Sequence, residues 1–160
     1  MKYFAIFTVL LLIVSLVGVG YLYMTANVVV EATGVIAMEA DDQPELFSRL
    51  RDQVRTGAVI GTPYVSASEL GEAENYQFYT YTIRLRNDCY VAADTIEVQI
   101  TPMAGDVLQI GAQSSYVIGA RSTGDVQATI LTAAGMHPIR EVTVSYYMWG
   151  LPFTLKTTVQ

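Results

Sequence analysis

The sequence predicts a mainly β protein: an antiparallel two-sheet sandwich with one short helix, preceded by a single N-terminal transmembrane helix. Three observations support this. The chain opens with a long uncharged apolar run, one later segment has apolar residues at helical spacing, and most of the region from residue 76 onward alternates apolar and polar residues. A period of two is typical of strands with one buried face, whereas about 18 or more consecutive apolar residues are typical of a helix in lipid.

Residues 1–26 are predicted to be a membrane anchor. No charged residue occurs from Tyr3 to Val30. As a helix, Tyr3 to Met24 would be about 33 Å long at about 1.5 Å per residue, which matches a hydrocarbon core of about 30 Å. The side chains predicted to face lipid are Phe4, Leu10, Leu11, Leu12, Ile13, Val14, Leu16 and Val17.

A cleaved signal peptide is the alternative for the same segment. Signal peptides have an apolar region of about 7–15 residues followed by small residues at the cleavage site. Here the run is longer, and Tyr21 to Met24 occupy the place of the small residues. An uncleaved signal-anchor is therefore favoured. Because Lys2 precedes the run and every acidic residue follows it, the positive-inside rule predicts a single-pass membrane protein whose C-terminal domain is extracytoplasmic.

Composition limits the partners and the covalent chemistry of the domain at 27–160. The net charge is −6, which argues against nucleic acid because phosphate backbones need clustered Lys and Arg. Cys89 is the single cysteine, so no internal disulfide can form, and a buried thiol is expected.

The domain is predicted to begin with a strand pair or one long bent strand at 27–38, with Gly34 as the bend or bulge. A helix at about 44–56 follows, with Asp41 and Asp42 predicted to cap its N-terminus and Gly57 to end it. The apolar stripe of this helix, predicted to cover an edge or end of a sheet, consists of Leu46, Phe47, Leu50 and Val54.

The stretch at 58–75 is predicted to be a loop with at most one short strand, because Gly, Pro and Ser are frequent there. Beyond it, alternation or short apolar runs between turn residues predict strands. These lie at about 79–86, 96–100, 107–110, 115–118, 126–131, 142–149 and 153–159. Residues 150–152 are predicted to turn the chain between the last two strands.

The stretch YTYTIRLRND followed by AADTIEVQI resembles bacterial exported immunoglobulin-like domains, including the cell-adhesion-related type. In those domains an alternating strand ending in Asn precedes a second strand after a short Ala-containing link, and Asn87, Ala92 and Ala93 carry this resemblance. It covers residues 76–160 at most, and the helix at 44–56 is not part of the pattern. The resemblance implies an adhesion, spacer or accessory module, with no catalytic residues to transfer.

No pattern in the sequence predicts an enzyme, a metal site or a cofactor. His137 is the only histidine and lies in a turn-like segment, so it is predicted to face solvent. The sequence has no nucleophile elbow and no phosphate-binding loop. The carboxylates at 39–45 and 69–74 are candidates for calcium, but they lack the regular ligand spacing of a calcium loop.

The aromatic residues near the last turn are the candidate binding surface. If Val144 and Tyr146 face the core, then Tyr147 and Trp149 face outward, near Phe153 across the turn. Exposed aromatic residues at a hairpin tip are typical of contact surfaces. In the alternative, a register shifted by one residue would bury them under the second sheet or the helix.

Together these patterns predict a membrane-anchored, extracytoplasmic, non-catalytic binding or structural accessory module in a cell-envelope assembly, at a bacterial cell surface. Its expected partners are the membrane and a protein of the envelope. A surface sensor for carbohydrate or another small ligand, using the Trp149 region, is the alternative. The oligomeric state is not predicted.

Overall fold

The computed structural model describes residues 2–66, 69–111 and 116–160. Within these ranges, most of the chain beyond the first helix is β-strand, which confirms the mainly β prediction. The elements are α1 (Lys2–Met24), β1 (Val28–Glu39), α2 (Pro44–Thr56), β2 (Gly61–Pro63), a 3-10 turn (Ala73–Asn75), β3 (Tyr76–Asn87), β4 (Ala93–Ile100), β5 (Asp106–Ile110), β6 (Tyr116–Ile118), β7 (Thr123–Ala133), β8 (Arg140–Met148) and β9 (Leu151–Val159).

The described strands form two antiparallel sheets, as predicted. Sheet A has the order β1-β3-β7-β5-β2, and sheet B has the order β6-β4-β8-β9. One hydrophobic core joins their facing sides, since Tyr81, Ile83 and Val126 of sheet A belong to the same buried cluster as Val144 and Met148 of sheet B. The β3 alternation is as predicted, because Ile83 and Leu85 are buried while Arg84 and Arg86 are exposed.

Helix α2 packs on the outer face of sheet A. Its Phe47, Leu50 and Val54 form a second buried cluster with Phe78 and Leu131 of the sheet. The helix has the predicted bounds and ends at Gly57, whose left-handed φ of 69° places its N–H within reach of the last carbonyls. The helix therefore covers the face of sheet A, and not only the edge or end that the sequence predicted. A flat face buries more of the apolar stripe than an edge would.

The predicted cap of α2 is wrong. Gln43, not Asp41 or Asp42, occupies the N-cap position, and no side chain caps the helix there. Ala40 N–H bonds to the Tyr76 carbonyl and Gln43 N–H to the Ala40 carbonyl, so a tight backbone turn carries the chain from β1 into α2. Pro44 begins the helix without needing a partner for an N–H, which reduces the demand for a cap.

Two other local predictions need correction. The predicted strand at 27–38 is one strand, Val28–Glu39, but its register shift lies between Val30 and Ala32 and not at Gly34. The predicted strand at 115–118 is present over Tyr116–Ile118, while Ser115 lies outside the described residues.

Candidate functional site

The β8–β9 hairpin ends in a two-residue turn made by Trp149 and Gly150. Met148 pairs with Leu151, and both turn residues have positive φ, 53° for Trp149 and 75° for Gly150. Two positive φ values are typical of a type I′ turn, whose twist matches that of the flanking strands. The predicted turn at 150–152 is therefore displaced, because Leu151 and Pro152 already belong to β9.

The hairpin separates the three residues of the predicted aromatic surface. Tyr147 and Trp149 face outward, 41% and 39% exposed, while Val144 and Tyr146 are buried. Phe153 is directly opposite Tyr146, and opposite residues of an antiparallel pair share a face. Phe153 therefore faces the core side, so the structure brings together Tyr147 and Trp149 and not Phe153.

Phe153 instead links α1 to the β domain. Its ring stacks on Tyr146 with centroids 5.7 Å apart, and its other neighbour is Tyr23 of α1 at 5.8 Å. Burial raises the pKa of the Tyr146 hydroxyl, and the neighbouring Val28 backbone at the start of β1 partly offsets this increase. Only Thr25, Ala26 and Asn27 separate α1 from β1, and Ala26 packs against the core. The helix and the domain are thus joined by a ring contact as well as by the chain.

The surface of α1 is apolar all round. Tyr3–Met24 is 22 residues long with a mean hydropathy of 2.5, and none of its most apolar window is buried inside the protein. The eight predicted lipid-facing residues, Phe4 through Val17, are all exposed. Such a helix is long and apolar enough to cross a membrane.

His137, Cys89 and the carboxylate clusters lie apart from the hairpin turn. His137 is exposed in the β7–β8 loop, where its Nδ1 accepts a hydrogen bond from the Ile139 N–H at 3.2 Å. Cys89 is buried, as predicted. Among the residues that the structure describes, the carboxylates at 39–45 and 69–74 do not converge into a group that could hold a metal ion.

A buried ion pair between Arg140 and Asp106 was missed by the sequence analysis. The guanidinium donates from Nε at 2.9 Å and from Nη2 at 2.7 Å to the two carboxylate oxygens, and both side chains are fully buried. Burial alone would raise the pKa of Asp106, but hydrogen bonds from Arg140 and the Met103 N–H outweigh it and lower that pKa. One signal was present: Arg140 is in phase with buried Val142 and Val144.

The Arg140 pair belongs to a polar network that holds the β7–β8 loop across one end of the core. Arg140 Nη1 donates to the carbonyls of His137 and Ile139, and the Tyr81 hydroxyl donates to the Pro138 carbonyl at 2.7 Å. Burial raises the pKa of Tyr81 to about 12, so this hydroxyl stays protonated. Since every group is partnered within the protein, the network has a structural role.

A second buried polar residue, Asn87, organises the opposite end. Its Nδ2 donates to the carbonyls of Val91 at 2.7 Å and Gly119 at 3.0 Å, and its Oδ1 accepts from the Cys89 N–H at 2.9 Å. Asn87 therefore ends β3, as predicted, and also ties the β3–β4 loop to the β6–β7 loop.

Two comparisons with known proteins find no match. No protein-family model matches the chain, and no curated protein matches its sequence. The hairpin turn and α1 therefore have to be interpreted from their own geometry.

Proposed function

We propose that the chain is a membrane-anchored, non-catalytic binding or structural accessory module of the cell envelope, with its β domain held outside the cytoplasm. One observation carries this proposal: α1 is apolar on all sides, none of its most apolar window is buried by the described protein, and three residues join it to the domain. Apolar surface of this extent is stable in lipid and costly in water.

The immunoglobulin-like part of the proposal is supported by strand order. Strands A, B, E and D of an immunoglobulin constant-type domain form one sheet and C, F and G the other. The strands β1, β3, β7 and β5 occupy the first arrangement and β4, β8 and β9 the second, in the same chain order. Strands β2 and β6 and helix α2 are additions, and with Cys89 alone the disulfide between strands B and F cannot form.

A protein partner is supported by an exposed apolar patch on the outer face of sheet A. Ile36 and Met38 are exposed there, beside Leu46 of α2. With Phe78 and Ile110 they line a shallow groove of about 300 Å³. Apolar side chains grouped in a groove are typical of sites that bind another protein.

Cysteine labelling tests the anchoring and the orientation. Because Cys89 is buried, the wild-type chain should not react with a membrane-impermeant maleimide. Thr158→Cys, at an exposed position of β9, should be labelled on intact cells. Tyr3→Cys, on the other side of α1, should be labelled only after permeabilisation. Labelling of position 3 and not 158 on intact cells would reverse the proposed topology.

The alternative, a sensor for carbohydrate or another small ligand, is favoured by the exposed Trp149 ring. As the only tryptophan, it reports on its own surroundings. A ligand stacked on this ring should shift the tryptophan emission and be competed by free ligand. Titrations with glycans that leave the emission unchanged would remove this function.

A further inference from the structure

Four segments meet at one end of the β domain, as the strand registers show. Val28 pairs with Asn87, and Arg86 pairs with Thr123, so the β3–β4 and β6–β7 loops lie beside the start of β1. Asp94 pairs with Tyr147, which places the tip of the β8–β9 hairpin at the same end. The four segments, here called the anchor end, are residues 25–27, 88–92, 119–122 and 147–151.

The hairpin tip lies at the level where α1 ends. Phe153 contacts Tyr23, in the last turn of α1. Leu151 is two residues from Phe153 along β9, so the turn projects about 7 Å further from the body of the domain. The connector of three residues, Thr25–Asn27, spans at most about 10 Å. Trp149 is therefore held beside the helix terminus, where the interface of a membrane crossed by α1 would lie.

The anchor end presents large side chains of the kind found at membrane interfaces. Tyr90 is 71% exposed and Leu151 is 47% exposed, beside the half-exposed Trp149. The guanidinium of Arg121 lies 4.2 Å from the centre of the Tyr90 ring. Trp and Tyr prefer the headgroup level because one part of each ring system is apolar and another forms hydrogen bonds.

The acidic clusters of the domain lie at the end opposite the anchor end. The anchor end contains one acid, Asp88, and one base, Arg121, and Asp88 is paired with Arg86. The acids at 39–45 and 69–74 lie toward the other end, since Glu39 pairs with Gln77 at the far end of β3. An end with few acids meets lipid headgroups with less repulsion than the acidic end would have.

Backbone strain also concentrates at the anchor end. Within the described residues, the non-glycine residues with positive φ are Thr95, Arg121 and Trp149, with φ of 48°, 53° and 53°. All three lie in or next to the anchor-end segments. A type I′ turn favours Asn, Asp or Gly, so a tryptophan there is locally unfavourable. Residues of this kind cluster where function requires them.

We propose that the anchor end is a second membrane contact, in which Trp149, Leu151 and Tyr90 enter the headgroup region of the bilayer that α1 crosses. This inference rests on the proposed anchoring by α1. The contact fixes the orientation of the domain: the anchor end lies on the lipid, and the groove beside α2, on the outer face of sheet A, remains free for a partner.

Tryptophan quenching in the full-length chain tests this contact. The protein is reconstituted into phosphatidylcholine nanodiscs, with or without acyl chains brominated near the glycerol, and aqueous iodide is the second quencher. The control variant, Met103→Trp with Trp149→Phe, carries its one tryptophan at an exposed site near the opposite end. Met103 is close to Ile100, which pairs with Val142, roughly 20 Å along β8 from the hairpin turn.

We expect Trp149 emission to shift to the blue on reconstitution, to lose intensity in brominated lipid and to resist iodide. The control tryptophan should show no blue shift, keep its intensity in brominated lipid and be quenched by iodide. If the protein stays in the nanodisc but Trp149 is quenched only by iodide, the contact is refuted while the anchor stands. Protection from both quenchers would mean that a second copy of the chain covers the turn, which also refutes it. A chain that leaves the lipid refutes the anchor itself.

Discussion

The Tyr23 ring of α1 lies 5.8 Å from the Phe153 ring of β9, centroid to centroid, and Phe153 in turn stacks on Tyr146 of the core. The last turn of the helix therefore contacts the end of the β domain through this ring pair. A flexible linker would let the domain rotate freely above a membrane, whereas this contact and the three-residue connector restrict the direction of the helix relative to the sheets.

Phe153→Ala should loosen the junction between helix and domain. Removing a half-buried ring from a stack is expected to lower the free energy of unfolding by about 2 kcal/mol. The measurement is urea unfolding of the full-length protein in detergent. Thr154→Ala is the matched control, because the neighbouring side chain is exposed, and it should change the unfolding free energy by less than about 0.5 kcal/mol. Equal effects of the two substitutions would contradict the packed junction.

Gly150→Ala should destabilise the hairpin turn, and Gly34→Ala should not. A Cβ at either position meets no atom within 4 Å, but only Gly150 has a positive φ, 75°. The left-handed conformation disfavours alanine, so Gly150→Ala is expected to cost about 1 kcal/mol. Gly34→Ala in β1 is expected to be neutral or to stabilise by about 0.5 kcal/mol. Thermal unfolding of both variants measures the difference, and the opposite order would exclude the proposed turn.

Asp106→Asn should be strongly destabilising, because it leaves the buried Arg140 guanidinium without its counter-charge. Breaking one partner of a buried pair is expected to cost about 3 kcal/mol or more. Asp125→Asn, which removes the partner of exposed Arg84, should cost much less, because water screens that pair. Chemical denaturation of the two variants gives the comparison. Similar losses would mean that Arg140 is solvated in the native protein.

The same pair predicts a pH dependence. The pKa of Asp106 is lowered in the folded protein, so the folded state releases this proton at a lower pH than the unfolded state. The stabilisation that the charged Asp106 carboxylate provides is complete above the ordinary aspartate pKa of about 3.9. It is lost as the pH falls through the lower pKa of the folded state. Below about pH 4, the unfolding free energy of wild type should therefore fall more steeply than that of Asp106→Asn. Parallel curves would contradict the assignment.

Periodicity predicted the strands and α2 well because burial repeats along each element. The alternation in β3 and β8 needed only local information, and the apolar stripe of α2 set its bounds. Contacts between residues that are far apart in the chain could not be predicted to the same degree. Arg140 and Asp106 are 34 residues apart, and Phe153 faces the core because the turn has two residues, Trp149 and Gly150, and not the three predicted, which would have placed Phe153 opposite Trp149.

The buried polar residues Asn87 and Arg140 carried an interpretable signal. Each continues the inward phase of its strand, after Leu85 in β3 and before Val142 in β8. A polar residue at a core position requires partners, so the phase alone predicts a network. The identity of the partners requires the fold, because Gly119 and Asp106 belong to other strands and loops.

Peptide mass spectrometry of the mature protein, taken from alkaline-washed membranes of its natural source, shows whether α1 anchors the β domain. We expect the chain to stay in the washed membranes and Tyr3–Met24 to remain covalently joined to the β domain. A mature chain that begins near Asn27, or that is recovered free of membranes, would contradict this anchoring.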